Sequence, residues 1–75
     1  MSGLEHSPRP IAEYMERHAL SQKDFAKFLG VSQSAVSQWL SLEKGISLTT
    51  AKKMERRTKG EINVRALFPK LFASA

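Results

Sequence analysis

Residues 20–40 constrain the fold of this chain more than any other segment, because they contain two helix starts separated by a glycine. Ser21 can cap one helix, and Asp24 three residues later can return a capping-box bond to it. Ser32 can cap a second helix in the same way. Gly30 stands between them, where the end of a helix commonly needs a left-handed residue. Two helices joined so tightly must cross, which is the geometry of a helix-turn-helix unit.

A small residue at the crossing supports this interpretation. Ala26 lies one helical turn before Gly30, on the side facing the second helix, where a larger side chain would push the two helices apart. The apolar residues that can close into a core around it are Phe25, Leu29, Val31, Val36, Trp39 and Leu40. We expect the indole of Trp39 to belong to this core rather than to stack on a ligand, because it shares an inward face with Val36 and Leu40.

The outer face of the second helix carries uncharged polar side chains that can both donate and accept hydrogen bonds. Side chains of this kind can contact base edges in the major groove of DNA. We therefore predict base contacts for Gln33, Ser34, Ser37 and Gln38. Gln33 is the strongest candidate, because the first turn of a recognition helix enters the groove. The alternative is an ordinary solvated helix face, since glutamine forms helices well without any function.

The pattern Q-x-x-x-A-x-x-x-G-V-S-Q-x-A-V-S-x-W, from Gln22 to Trp39, resembles the Cro and repressor class of phage and bacterial transcription factors. Thr58–Ile62 and Leu67–Phe72 are similar to the tail of Cro-like proteins of the YdaS antitoxin type, with Lys59 where the first of two glycines is common. The resemblance covers roughly residues 10–72. It implies an all-α fold: a compact bundle of four to five short helices with a lambda-repressor-like DNA-binding fold.

The resemblance also implies how the DNA backbone would be held. Family members place a side chain at the start of the first motif helix on a phosphate, and the loop after the recognition helix lies near the backbone. The predicted phosphate contacts are Gln22, Ser32, Lys44, Lys52, Lys53 and Arg56, with Arg57 as a further candidate. For the cations of residues 52–57 the alternative of a solvated charged face stays open.

The distribution of charge favours a nucleic-acid partner. The 75-residue chain has a formal net charge of +5, and the whole excess lies in residues 41–75, because basic and acidic residues balance in residues 1–40. A basic domain attracts polyanions, of which nucleic acid is the usual one. The asymmetry predicts that a neutral helix contacts bases while the flanking segments hold phosphates.

Capping residues and apolar spacing predict five helices. They cover about 10–18, 22–29, 33–40, 48–59 and 64–68. The last, capped by Asn63, competes with a strand over 61–64, because Ile62 and Val64 alternate; we prefer the helix, since a lone strand would lack a partner. We expect residues 1–9 to form a flexible N-terminus, residues 10–72 one domain and residues 73–75 its C-terminal end.

Composition argues against several other functions. The chain has no cysteine, so neither a disulfide framework nor a thiolate metal site is expected. His6 and His18 are too poorly accompanied to bind a metal, and neither a catalytic triad nor a glycine-rich phosphate loop is evident. We therefore predict no enzyme activity and no cofactor. No apolar run could span a membrane and no signal peptide is evident, so a cytoplasmic protein is expected.

The predicted function is a sequence-specific regulator that binds double-stranded DNA, a Cro-like repressor acting as a homodimer on a palindromic operator. One recognition helix supplies few base contacts, so two copies are needed for useful specificity. The predicted dimer interface is Phe68, Leu71 and Phe72. The alternative is an antitoxin that binds a toxin protein through the same C-terminal segment. Exposure of these apolar side chains would favour the antitoxin, and their burial would favour the simple repressor.

Overall fold

The computed structural model of the protein describes residues 6–69. These residues form five helices: α1 (Arg9–Arg17), α2 (Gln22–Leu29), α3 (Gln33–Ser41), α4 (Leu48–Arg57) and α5 (Val64–Leu67). Each predicted helix is present, with ends that differ from the prediction by at most one or two residues. Residues 61–63 form a bend leading into α5, so the helical alternative is confirmed there and the strand is not formed. Within the described range, no helix is both long and apolar enough to cross a bilayer.

Side-chain caps begin four of the helices. In each case the side-chain oxygen of the residue before the helix accepts a hydrogen bond from the backbone N–H three residues later, at 2.8–3.1 Å. The capping residues are Ser21, Ser32, Ser47 and Asn63. The predicted capping box of α2 is complete, because the N–H of Ser21 also donates to the Asp24 carboxylate at 3.4 Å. Local sequence spacing therefore places the starts of these helices.

Left-handed residues end the first four helices, and in only one case is the first such residue a glycine. These first residues are Ala19 (φ 53°), Gly30 (77°), Leu42 (65°) and Lys59 (54°), and Gly60 after Lys59 also has a positive φ, of 87°. At each end the next N–H donates to the carbonyl five residues earlier, at 2.8–2.9 Å, which satisfies a helix-end carbonyl. Lys59 adopts the left-handed conformation, which glycine adopts with less strain. Its side chain adds a cation there at the expense of backbone strain.

The core is one cluster to which all five helices contribute. Its buried members are Ile11, Tyr14, Phe25, Ala26, Leu29, Val36, Trp39, Ile46, Ala51, Met54, Ile62, Leu67 and Phe68. Trp39 is buried, as predicted. The helices α2 and α3 pack against each other, α1 packs on α3 and α5, and α4 packs on α2 and α5. The helix α3 therefore packs on α1 and α2, whereas α4 packs on α2 and α5.

The residues immediately before α1 are part of the fold. The imidazole of His6 is buried, and its Nε2–H donates to the carbonyl oxygen of Trp39 in α3 at 2.8 Å, in the tautomer that carries the proton on this atom. The N–H of Ser7 donates to the Leu67 carbonyl of α5 at 2.7 Å. Within the predicted N-terminal segment, hydrogen bonds therefore tie His6 and Ser7 to two helices.

Candidate nucleic-acid interface

The turn between α2 and α3 has the geometry that the glycine predicted. Gly30 has φ 77° and ψ 35°, and its N–H donates to the Ala26 carbonyl at 2.8 Å. A Cβ placed on Gly30 would meet only the Lys53 Nζ, at 3.7 Å, so backbone conformation rather than space favours glycine here. Ala26 is 3% exposed at the contact between the two helices, where its small side chain permits their close approach.

The outward face of α3 is polar and uncharged. Gln33, Ser34 and Ser37 are exposed, and Gln38 is half-buried at the edge of this face. The opposite face of the helix is buried in the core through Val36 and Trp39. Gln33, Ser34 and Ser37 share one helix face because they are spaced one and four residues apart. The structure thus brings the predicted base-contact residues together on an accessible surface.

Two of the predicted phosphate contacts lie at the N-terminal ends of the motif helices. Ser32 caps α3, and its Oγ accepts a hydrogen bond from the Ala35 N–H at 3.1 Å. Its hydroxyl hydrogen can still donate to a phosphate oxygen. Gln22 is half-buried and is the first residue of α2. Helix N-termini carry partial positive charge, so both positions favour an anion.

The loop after α3 folds back on the helix that it follows. The N–H groups of Glu43 and Lys44 both donate to the Gln38 carbonyl, at 2.9 Å and 3.3 Å. Lys44 is exposed. Its ammonium group is therefore carried by a loop anchored on the Gln38 carbonyl of α3.

This arrangement agrees with a known family. A family model described as helix-turn-helix matches residues 11–63. The chain belongs to the helix-turn-helix family. The matched range runs from α1 to the cap of α5 and contains the whole of α2, the Gly30 turn and α3. No curated protein and no solved structure matches the chain.

Membership gives the α2–α3 unit its role. Helix-turn-helix domains of this family bind DNA in regulators of transcription and are not typically enzymatic. In helix-turn-helix proteins the second helix of the motif lies in the major groove, so α3 is the recognition helix. Within residues 6–69, no three His, Cys, Asp or Glu side chains are grouped so that they could hold a metal.

The cations of α4 in this helix-turn-helix domain separate into two pairs. Lys53 and Arg57 face α2: Lys53 is half-buried with its Nζ beside Gly30, and the Arg57 guanidinium donates to the Phe28 carbonyl at 3.3 Å. These contacts place positive charge at the C-terminal end of α2, where helix carbonyls favour it. The structure therefore gives this pair a packing role between α4 and α2.

The other pair faces away from α2. Lys52 and Arg56 are exposed and line an open groove between α4 and α5, together with Lys59 and Arg65. Sequence reasoning did not select Lys59 or Arg65 as site residues. Their signal was the concentration of charge in residues 41–75, but only the packing of α5 on α4 brings the two to one surface.

The predicted interface residue Phe68 is a core residue of the helix-turn-helix domain. Its side chain is fully buried, so it offers no surface to a second copy of the chain, and this prediction is corrected. Residues 64–69 pack against the body of the domain through Leu67 and Phe68. The other predicted interface residues, Leu71 and Phe72, lie outside the described residues.

Proposed function

We propose that this protein is a sequence-specific repressor that binds an operator in double-stranded DNA through α3. The observation that carries the proposal is the exposed, uncharged face of α3, formed by Gln33, Ser34 and Ser37 on a helix whose other face is anchored in the core. Neutral side chains that donate and accept can discriminate between base edges. A charged face would instead bind phosphates of any sequence.

The proposed contacts follow from the position of each residue in the motif. The first turn of α3 enters the major groove, where Gln33 can form paired hydrogen bonds with a base and Ser34 and Ser37 add single ones. Gln38 contacts the groove from the edge of the same face. Ser32, Gln22 and Lys44 hold phosphates on either side, and these contacts set the orientation of the helix without selecting sequence.

Two copies of the chain would act together on a palindromic operator. One recognition helix of this kind offers only a few base contacts, each worth about 1–3 kcal/mol, which is too little to select one site in a genome. Symmetric pairing doubles the base contacts and sets the half-sites about 34 Å apart. Repression would follow from occlusion of the promoter.

The burial of Phe68 favours the repressor over the alternative of an antitoxin. Toxin binding through the C-terminal segment would be supported by exposed apolar side chains in that segment. Phe68 is instead buried in the core of its own domain. Leu71 and Phe72 remain the proposed dimer interface, at the end of the segment that Phe68 anchors.

Selection of binding sites from random duplexes tests the base contacts. The wild-type protein should enrich a palindromic sequence, and Gln33→Ala should lose preference at one base pair of each half-site, with a cost of about 1–3 kcal/mol on the preferred site. Glu16→Ala, exposed on α1, is the control and should keep the wild-type preference. Uniform weakening on all sequences would show that Gln33 contacts only the backbone.

Sedimentation with and without operator DNA tests the dimer. Two wild-type copies should saturate one operator, and Phe72→Asp should lower this cooperativity while the domain stays folded. Saturation of the operator by one wild-type copy would exclude the dimer. Intact cooperativity in Phe72→Asp would place the interface elsewhere.

A further inference from the structure

The groove between α4 and α5 is a charged surface, unlike the uncharged outward face of α3. It is open to solvent, with a volume of about 770 Å³. Four cationic side chains line it: Lys52, Arg56, Lys59 and Arg65. Within residues 6–69, no carboxylate forms an ion pair with Lys52, Arg56 or Lys59. Their positive charge is therefore presented to solvent and attracts an anion.

The shape of the groove is held by hydrogen bonds across its floor. Glu55 is half-buried and is the one acidic residue that residues 6–69 contribute to the lining; its Oε1 accepts the Val64 N–H at 2.9 Å. Asn63 caps α5 by accepting the Ala66 N–H at 2.8 Å. The Glu55 bond fixes the start of α5 against α4, and the Asn63 bond closes the first turn of α5. The Glu55 carboxylate thus accepts a hydrogen bond that supports the fold, and the other charged side chains that line the groove are cationic.

We propose that this groove binds the sugar–phosphate backbone of duplex DNA, as a contact separate from the face of α3. The proposal rests on the proposed function, since it concerns how the same protein holds DNA. Lys52 and Arg56 lie on successive turns of α4, about 6 Å apart along its axis, so they form a row rather than a closed pocket. A row of cations suits a run of phosphates along one strand.

The lining favours duplex backbone over other anionic ligands. Among residues 6–69 no aromatic side chain lines the groove, so this part of the chain offers no surface there on which the bases of a single strand could stack. A second copy of the chain is also a poor occupant. A two-fold interface places the same surface on both sides, and cations would then oppose cations.

The groove lies apart from the recognition helix. The helix α4 packs on α2 and α5, and its side towards α2 is occupied by Lys53 and Arg57. Lys52 and Arg56 are on the side towards α5, which itself packs on α1 and α4. When α3 occupies the major groove, the α4–α5 groove therefore meets a different stretch of backbone. That stretch belongs either to the same duplex beyond the half-site or to a second duplex.

The two pairs of cations on α4 give a matched experiment. The double variants Lys52→Gln/Arg56→Gln and Lys53→Gln/Arg57→Gln each remove two positive charges from the same helix. The dependence of log affinity on log salt is measured on a long duplex containing the operator. The first variant should lower the slope by about two and leave thermal unfolding unchanged. The second should unfold at lower temperature and keep the wild-type slope.

A slope that is unchanged in Lys52→Gln/Arg56→Gln would overturn the proposal for the groove. The selection of binding sites by Gln33 variants tests the proposed function independently of the groove, because it measures preference between DNA sequences rather than the total charge in contact with DNA. A protein that enriches an operator while its groove variant keeps the full slope would retain the proposed function without this contact. If instead the groove variant lowers the slope but the wild-type protein enriches no operator, the groove binds DNA backbone and the proposed sequence selection is wrong.

Two probes identify the anion. The first probe is a duplex just long enough to cover one half-site. If the groove contacts a stretch further along the same duplex, wild type and groove variant should have the same salt slope on this short duplex. If the effect of the groove variant persists, and the wild-type protein sediments with more than one half-site duplex per chain while Lys52→Gln/Arg56→Gln sediments with one per chain, the groove holds a second duplex. Both results support the proposal. Poly-glutamate that displaces the long duplex more effectively than a non-specific duplex of equal charge would overturn it in favour of an acidic polypeptide.

Discussion

The Thr58 hydroxyl accepts a hydrogen bond from the backbone N–H of Ile62 at 3.0 Å. The same hydroxyl donates to the Met54 carbonyl at 2.7 Å, and Thr58 is only 3% exposed. One buried side chain therefore ends α4 and holds the turn that leads to α5. The position of α5 on α4, and with it the groove between them, depends on this link.

Thr58→Val should lower the free energy of unfolding by about 1–3 kcal/mol, because the buried N–H of Ile62 loses its acceptor while the volume of the side chain stays similar. Urea unfolding measures this loss. Thr49→Val, exposed on the same helix, is the control and should change stability by less than about 0.5 kcal/mol. Equal effects of the two substitutions would contradict a structural role for the Thr58 hydroxyl.

Ala26→Leu should destabilise the protein by about 1–3 kcal/mol, because the larger side chain overpacks the contact between α2 and α3. Thermal unfolding measures the effect, and Ala12→Leu on the exposed face of α1 provides the comparison. An Ala26→Leu protein with full thermal stability that no longer binds DNA would mean that this residue acts at the interface instead of in packing.

Substitutions at two left-handed helix ends should change stability in opposite directions. Gly30→Ala should cost about 1–2 kcal/mol from backbone strain alone, since the added Cβ meets no atom closer than 3.7 Å. Ala19→Gly should stabilise the protein by up to about 1 kcal/mol, because relief of strain exceeds the added freedom of the unfolded chain. Chemical unfolding of both variants tests the pair. Destabilisation by Ala19→Gly would show that Ala19 is not strained.

Stability should fall in acid through Glu61. The side chains of His18 and Arg17 donate hydrogen bonds to its Oε1, at 2.9 Å and 2.8 Å, and these bonds lower the pKa of the Glu61 carboxyl. A group whose pKa is lower in the folded state adds stability above its ordinary pKa, about 4.3 for Glu, and this contribution is lost as the pH falls through the lowered value.

Glu61→Gln should therefore reduce the difference in unfolding free energy between about pH 7 and about pH 3. The effect is small, because the Glu61 side chain is 39% exposed and solvent screens its ion pairs. Glu16→Gln, exposed on α1, should leave the difference unchanged. The same acid dependence in Glu61→Gln as in the wild type would place the sensitive carboxyl elsewhere.

The features that the sequence predicted are those set by neighbouring residues. The caps at Ser21, Ser32, Ser47 and Asn63 each depend on an N–H three residues away, so the helix starts follow from spacing alone. The polar face of α3 follows from helical periodicity. The turn at Gly30 follows from the one helix end that carries the expected residue.

The features that the sequence did not predict depend on residues far apart in the chain. The opposite roles of Lys53 and Lys52 follow from which helix each one faces, and adjacent positions in a charged run carry no sign of this difference. The left-handed ends at Ala19 and Leu42 lack glycine, the usual signal. The sequence predicts Phe68 at an interface, but its side chain is buried in a core whose other members lie mostly far from it in the chain.

The hydrogen bond from His6 to Trp39 couples the segment before α1 to the recognition helix. Ser7 is bonded to α5 at the same time, so release of this segment would loosen the ends of α3 and α5 together. Amide hydrogens in the segment around Ser7 and at the ends of α3 and α5 should then exchange with solvent as one cooperative unit. DNA bound to α3 should slow exchange at Ser7, although this residue lies outside the α2–α3 motif.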